Sequence, residues 1–492
     1  MRRNRNFVLA VGGLVLLGLM ASVAPRPVSA QAVPPGQSRT ETETETDPAV
    51  LRKLEWFRDI KLGLLIHWGP YSQWGIVESW SICSEDESWC ARPKGVSYTD
   101  YKKQYEALKS TFNPVNFDPD RWAEAARAAG MRYVIFYAKH HDGFSMFDTR
   151  LTDYRITDPG CPFHAHPRAN VAREIFKAFR DRGMGVAAGF SKPDWHSPDY
   201  WAPEWATPDR NVNYDTSRYP DRWKRFQDFT CGQIGELMSG CGPVDILWLD
   251  GGWVRPSPPV FDPALGWTKS RRDQDIDMPR IAAMARGRQP GLLIVDRTVG
   301  GRYENYATPE QSIPAEPPDG PWETCLTLGT SWTYTPNEVF KSPRTLIHTL
   351  IEVVAKGGNL VLGAGPDGKG EFAPGVYDRL KAIGDWMSVN SKAIYETRLH
   401  QPFEETKIYY TQGKDGAVYA LYLADENETA PPPKIMLYGL KLKDKAVVRM
   451  LGVKDEVRWE RAGSAALLLL PDSAVKNPPC LYAWAFEIRQ GD

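Results

Sequence analysis

Several apolar runs in this chain stop abruptly at side chains that can hold or move a proton. Val244-Asp245-Ile246-Leu247-Trp248-Leu249 ends at Asp250-Gly251-Gly252, and Tyr133–Ala138 runs into Lys139-His140-His141-Asp142-Gly143. Leu62–Ile66 likewise delivers His67-Trp68. Asp250 is the leading candidate for chemistry, because a carboxylate at the end of a buried run can attack or deprotonate a bound substrate, and two glycines let the chain turn away from it. Three of the eight histidines sit at such run ends. Imidazole both donates and accepts hydrogen bonds, so a cup of them suits a polyhydroxylated ligand. His67, His140, His141 and Asp250 could instead ligate a metal. Adjacent histidines on a strand face opposite ways, however, so both would reach one ion only if the strand had already broken there.

Acid–base work on a glycosidic bond needs a second carboxyl group. The stretch after Leu292-Leu293-Ile294-Val295-Asp296-Arg297 offers Glu304 and Glu310, with Glu316 and Glu323 further on. The residues alone do not choose among them.

These groups need a scaffold that brings distant run ends together. Asp118–Gly130 predicts a helix with Asp118 as N-cap, Pro119 in the first turn and Gly130 as stop. Val171–Arg182 is a second helix, stopped by Gly183 and followed by the strand Gly185–Phe190. With Asn359–Leu362, these form a strand–helix alternation of more than 300 residues, which predicts an α/β fold with a parallel sheet closed as a (β/α)₈ TIM-like barrel. Polar residues gather where the strands stop, which in a barrel is the C-terminal, catalytic rim. After a helix around Tyr377–Asn390 the pattern changes to short alternating runs such as Ala417–Leu423 and Ala465–Leu470, predicting an antiparallel β-sandwich. The expected division is a signal peptide over 1–30, a flexible linker over 31–50, a barrel over 51–395 and a sandwich over 396–492.

The leader is read from Arg2, Arg3 and Arg5, the uncharged stretch Phe7–Ala24 and the small-residue site Val28-Ser29-Ala30, and predicts export to the periplasm or medium. No membrane association is expected of the mature form. Lys+Arg 60 against Asp+Glu 61 leaves no basic field, which argues against nucleic acid as a partner. The 18 Trp, 21 Tyr and 18 Phe suit either bulky cores or sugar stacking. Seven cysteines are too few for a disulfide framework in a chain this long, although Cys83–Cys90 and Cys231–Cys241 are close enough to be candidate pairs.

Taken together, Leu62-Gly63-Leu64-Leu65-Ile66-His67-Trp68-Gly69, Lys139-His140-His141-Asp142-Gly143-Phe144, Trp248-Leu249-Asp250-Gly251-Gly252-Trp253 and Asn359-Leu360-Val361-Leu362-Gly363-Ala364-Gly365-Pro366 resemble the signature blocks of α-L-fucosidases, glycoside hydrolase family 29. The blocks occur in the family's order. The resemblance implies a barrel with a C-terminal β domain, retaining hydrolysis of terminal α-linked fucose, a fucosylated glycan as partner, and neither cofactor nor metal. It implies Asp250 as nucleophile and Glu310 as acid/base, with Glu304 the alternative. His67, His140 and His141 match residues that bind fucose hydroxyls; Trp68 lies beside them, and Arg297 resembles an arginine near the nucleophile. The family's Glu-Trp pair is matched by Glu78 with Trp80 or by Glu87 with Trp89. Gly189-Phe190-Ser191-Lys192 stands where many members carry aromatic residues, a departure that bears on pocket shape. Two other readings stay open: action on another fucose-configured sugar, and a catalytically silent carbohydrate-binding protein.

Overall fold

The computed structural model describes residues 45–83, 90, 92–205, 210–256 and 273–491. The expected leader, most of the expected linker, and Glu87 and Trp89 lie outside the described residues. Seven strands, Leu62–Ile66 (β1), Tyr133–Lys139 (β2), Gly185–Ser191 (β3), Ile246–Asp250 (β4), Leu293–Asp296 (β5), Glu323–Thr327 (β6) and Asn359–Ala364 (β7), form one parallel sheet in the order β5-β4-β3-β2-β1-β7-β6. Helix α1 (Pro48–Ile60) precedes β1, and α2 (Tyr98–Glu106) and α3 (Pro119–Ala128) join β1 to β2. Then α4 (Val171–Arg180), α5 (Pro220–Gly240), α6 (Met278–Arg288) and α7 (Pro343–Ala355) alternate with the strands, and α8 (Pro374–Asn390) follows β7. Local signals place the ends: Asp118 caps α3 by accepting from the Asp120 and Arg121 amides, and Asn170 caps α4 by accepting from Arg173 N–H.

Among the described residues the barrel-like sheet thus has seven regular strands where eight were expected. Residues 303–311 fill the remaining gap between β5 and β6 as an irregular stave. On the β6 side, Glu323 and Cys325 N–H donate to the Ala307 and Pro309 carbonyls, and Gln311 N–H donates back to Cys325. On the β5 side the main-chain ties are Asn305 N–H to Ile294 and Asp296 N–H to Tyr303. This stave carries Glu310.

Side chains alternate across each strand. Leu65, Ile135, Trp248, Val295 and Val361 fill the interior, whereas Leu64, Val134, Leu247, Ile294 and Leu362 pack outward against the helices. Helix α1 stoppers the opposite end with Val50, Leu54, Phe57 and Ile60, each buried apolar side chain stabilising by roughly 1.5–3 kcal/mol. Phe57 stacks on Tyr306 at 4.0 Å. This shortens the expected linker. Asp47 caps α1, and Glu45 is already buried, its carboxylate 2.8 Å from Arg286.

The C-terminal region holds Thr397–Glu405 (β8), Ile408–Gly413 (β9), Val418–Leu423 (β10), Lys434–Leu437 (β11), Val447–Met450 (β12), Glu456–Ala462 (β13), Ala465–Leu469 (β14) and Ala483–Arg489 (β15). They form one 8-stranded antiparallel sheet, β11-β14-β13-β12-β15-β10-β9-β8, folded over a core that includes Tyr410, Ala420, Leu437, Val448, Leu468 and Phe486. Its two layers are therefore continuous. The reverse face, with Tyr419, Leu421 and Ala485, packs into the barrel's outer layer, and Trp386 Nε1–H donates to the Ala483 carbonyl. The candidate Cys231–Cys241 pair does not form. Both are thiols, ten residues apart along α5 and just past its end, which puts roughly 15 Å between them. The Cys83–Cys90 candidate flanks residues 84–89, outside the described residues. Among the described residues no helix is long and apolar enough to cross a membrane.

Candidate active site

The two-residue period of the strands selects which side chains reach the barrel mouth. Leu65 points inward, so His67 does; Trp248 points inward, so Asp250 does; Val295 points inward, so Arg297 does. The second block reaches the mouth differently. Tyr137 pairs with Gly189 but Lys139 with Phe190, so β2 carries one extra residue, a bulge at its last turn. The bulge turns Lys139 outward, where its ammonium lies 4.4 Å from the Phe190 ring centre and pairs with Asp194 at 3.1 Å. The strand then ends. His140 and His141, freed from alternation, both face Asp250: their ligand atoms and a carboxylate oxygen all lie within 4.8 Å of one another.

Asp250 is held from several sides. Its Oδ1 accepts from Arg297 Nη1 at 2.9 Å and from Gly251 N–H at 2.8 Å, and its Oδ2 accepts from the Tyr137 hydroxyl at 2.9 Å. His141 Nε2 lies 3.8 Å from the same Oδ2. The other arm of Arg297 donates to Glu310 Oε2 at 2.8 Å and its Nε to Thr308 Oγ1 at 3.2 Å, while the guanidinium lies 4.1 Å from the Trp248 ring centre. One buried arginine thus bridges two carboxylates of contrasting exposure, Asp250 at 17% and Glu310 at 47% of the side chain.

Burial alone would raise the Asp250 pKa. Arg297, His141, His140 and the Gly251 amide outweigh it and hold the group below the ordinary carboxylate range. Burial also depresses the three imidazoles, His140 to about 4 and His67 and His141 well below their usual value, so all are neutral near pH 7. His140 Nδ1 is engaged with Ser79 Oγ at 2.6 Å. His67 Nδ1, His141 Nδ1 and Glu78 Oε1 are buried polar atoms without a protein partner. Such atoms are costly unless something bonds them, so the cup has donors and acceptors to offer a polar ligand. His140, His141 and Asp250 have the spacing of a metal triad, but the cation already seated on this carboxylate is Arg297.

Two carboxylates joined through one guanidinium, beside a neutral histidine cup on the barrel rim, form a site for sugar-bond chemistry, and comparison decides the class. Residues 29–392 match the family model for α-L-fucosidase, and 401–489 match that for the α-L-fucosidase C-terminal domain. The chain belongs to the α-L-fucosidase family. It is similar to tissue α-L-fucosidase of Rattus norvegicus, 26% identical over 455 residues that span 88% of this chain and 89% of that protein. The Homo sapiens tissue α-L-fucosidase is 26% identical over 460 residues, 88% of each chain. Among solved structures, α-L-fucosidase isoenzyme 1 from Paenibacillus thiaminolyticus matches with a TM-score of 0.71 and 28% identity, covering 90% of this chain and all of that one. The enzyme is an α-L-fucosidase of the glycoside hydrolases.

Other residues named from the sequence divide by where the α-L-fucosidase fold puts them. Glu78 is buried and adopts φ +24°, a strained value for a non-glycine residue. Burial, then the nearby Glu310 and Asp250 charges, push its pKa well up, so it faces the site as a neutral acid. Trp80 packs edge-on against His141 at 5.3 Å and leans on Trp253. Trp68 does not join the cup. One residue past His67, it turns outward onto Phe112, Phe117 and Trp122 and donates Nε1–H to the Asp367 carbonyl. Glu304 braces its own loop by accepting from the Thr298 and Gly300 amides. Glu316 is exposed. Glu323 sits deep in the barrel, accepting from Tyr133 hydroxyl at 2.6 Å and Trp248 Nε1–H at 3.1 Å. Sequence reasoning missed Tyr137, Ser79 and Trp253, and with them Trp195, edge-on to His141 at 5.2 Å, and Trp332, 5.5 Å from the His67 ring. Tyr137 was findable, since it lies two residues beyond inward Ile135; the others arrive from loops without periodicity.

Proposed function

We propose that this α-L-fucosidase is an exported, retaining exo-enzyme that removes terminal α-linked L-fucose from glycans by double displacement. The observation that carries the mechanism is the Asp250–Arg297–Glu310 bridge, which keeps two carboxylates within one guanidinium's width of each other. Retention needs a separation of about 5–5.5 Å across the bound sugar. Asp250, held ionised, attacks the anomeric carbon while a proton passes from Glu310 to the departing oxygen; Glu310 then takes a proton from water, which releases fucose. The neutral imidazoles of His67, His140 and His141 bond the ring hydroxyls, and protonated Glu78 donates to another. Trp80 and Trp253 supply apolar walls.

Hydrolysis of an aryl α-L-fucoside followed by NMR tests the reading. The first sugar released is expected to be α-fucose, whereas β-fucose appearing first would establish inversion and remove Asp250 as nucleophile. In the same assay Glu310→Ala is expected to slow turnover on the order of 10²-fold, with Glu304→Gln active. The reverse ranking would move the acid/base role to Glu304. Export is supported by the Arg2–Ala24 pattern and is checked by the N-terminus of the processed protein: Gln31 agrees, and a retained Met1 overturns it.

A further inference from the structure

We propose that Lys192 is a positioning residue that fixes Asp250 and Arg297 relative to each other; this rests on the reading of Asp250 as nucleophile. Lys192 is the first residue after β3, in the Gly189-Phe190-Ser191-Lys192 stretch. Its main-chain N–H donates to the Asp250 carbonyl at 3.0 Å. Its ammonium, with 0% of the side chain exposed, pairs with the Asp296 carboxylate, itself 3% exposed. Asp296 immediately precedes Arg297, whose own N–H donates to the Leu249 carbonyl at 3.2 Å. A single residue therefore fastens both the backbone of the nucleophile and the backbone of the arginine that grips the nucleophile's carboxylate.

The geometry is that of a clamp across β4. Arg297 points into the barrel, so Asp296 lies on the outer side, and the Lys192–Asp296 pair ties β3 to β5 behind the end of β4. The fit is close. Gly251 adopts φ +84° and a Cβ there would drive into Pro193, while a Cβ at Gly252 would meet Thr298 and the Arg297 carbonyl. Both flanking segments thus press directly on the turn that follows Asp250. A fully buried ion pair gains little net stability over apolar side chains of similar volume, so stability alone is a weak reason for one here. Position is a stronger one, since a shift of about 1 Å in a reacting group can cost 10²-fold in rate.

The test compares wild type, Lys192→Met, the apolar pair K192M/D296L and Asp250→Gly on an aryl α-L-fucoside, with melting curves. Lys192→Met and the double variant are both expected to lose kcat on the order of 10²-fold with KM little changed, the double variant melting within a few degrees of wild type. Wild-type kcat in the double variant overturns the clamp, as does a double variant that loses the fold, which would make the pair a stability element. Azide rescue of Asp250→Gly with either of those results isolates the failure to Lys192. Failure of azide rescue removes the parent reading, and the clamp falls with it.

Discussion

Replacing Asp250 by glycine is expected to lower kcat on an aryl α-L-fucoside on the order of 10⁴-fold, with azide restoring much of the lost turnover. The structural reason lies in what the variant leaves behind. Arg297 Nη1, the Tyr137 hydroxyl and the Gly251 N–H all point at the deleted carboxylate. A small anion placed there meets a ready set of donors and can attack the anomeric carbon in its stead. The product is then a β-fucosyl azide, of opposite configuration to the substrate, identified by NMR. Glycine adds no bulk beside Gly251 and Gly252, and Arg297 keeps Glu310 as a partner, so the fold should survive at a lowered melting temperature that reflects the lost ion pair; a cooperative melt checks that. Turnover within tenfold of wild type by the folded variant would remove Asp250 from the chemistry.

The second large effect is expected at Arg297. Arg297→Met keeps the apolar stem on Trp248 but deletes the charge shared by Asp250 and Glu310. Removing one preorganised donor from an active-site anion costs about 10²–10³-fold in rate, and Arg297 serves two carboxylates, so kcat/KM should fall on the order of 10³-fold; the broken buried pair separately costs about 3–5 kcal/mol of stability. The pH profile should move too. In the wild type, Asp250 titrates below its ordinary range because Arg297, His141, His140 and the Gly251 amide outweigh burial. Without the arginine, burial gains weight and the folded-state pKa rises. The acid limb of kcat/KM is therefore expected at higher pH in the variant. The stability consequence has the same sign. A depressed carboxylate pKa stabilises the fold above the unfolded value, and that contribution is lost as pH falls through the folded one. Arg297→Met should accordingly lose more stability relative to wild type at pH 7 than at strongly acidic pH. An acid limb that stays in place would show that another group sets it.

Much of this site was legible in the sequence because strand parity is arithmetic. His67, Asp250 and Arg297 each lie two residues beyond an inward apolar residue, and the same rule would have excluded Trp68 as an outward neighbour. His140 and His141 were harder. Their shared direction depends on a bulge at the end of β2, a register shift between strands that composition does not encode. Glu310 and Glu304 could not be separated by the residues alone, because both lie on a stave with no regular period; their surroundings differ, Glu304 bonding its own loop and Glu310 bonding Arg297, and the paired variants test which of them carries the role. Among the elements, β6 escaped notice because Glu-Thr-Cys-Leu-Thr does not look buried, yet Glu323 is tolerated there by Tyr133 and Trp248. Strand β8 escaped because Pro402 and several charges sit in an edge strand with one face in water.

The irregular stave has one more consequence. Between β5 and residues 303–311 the main chain supplies only a short tie, and above it the joint is made by the Arg297 side chain reaching Thr308 and Glu310. The residue that sets the charge balance of the site is thus also the latch of the ring. Variation at this position cannot adjust reactivity while leaving barrel closure untouched. Mutational routes to altered chemistry should therefore run through the cup and its loops, where side chains can change without unfastening the scaffold.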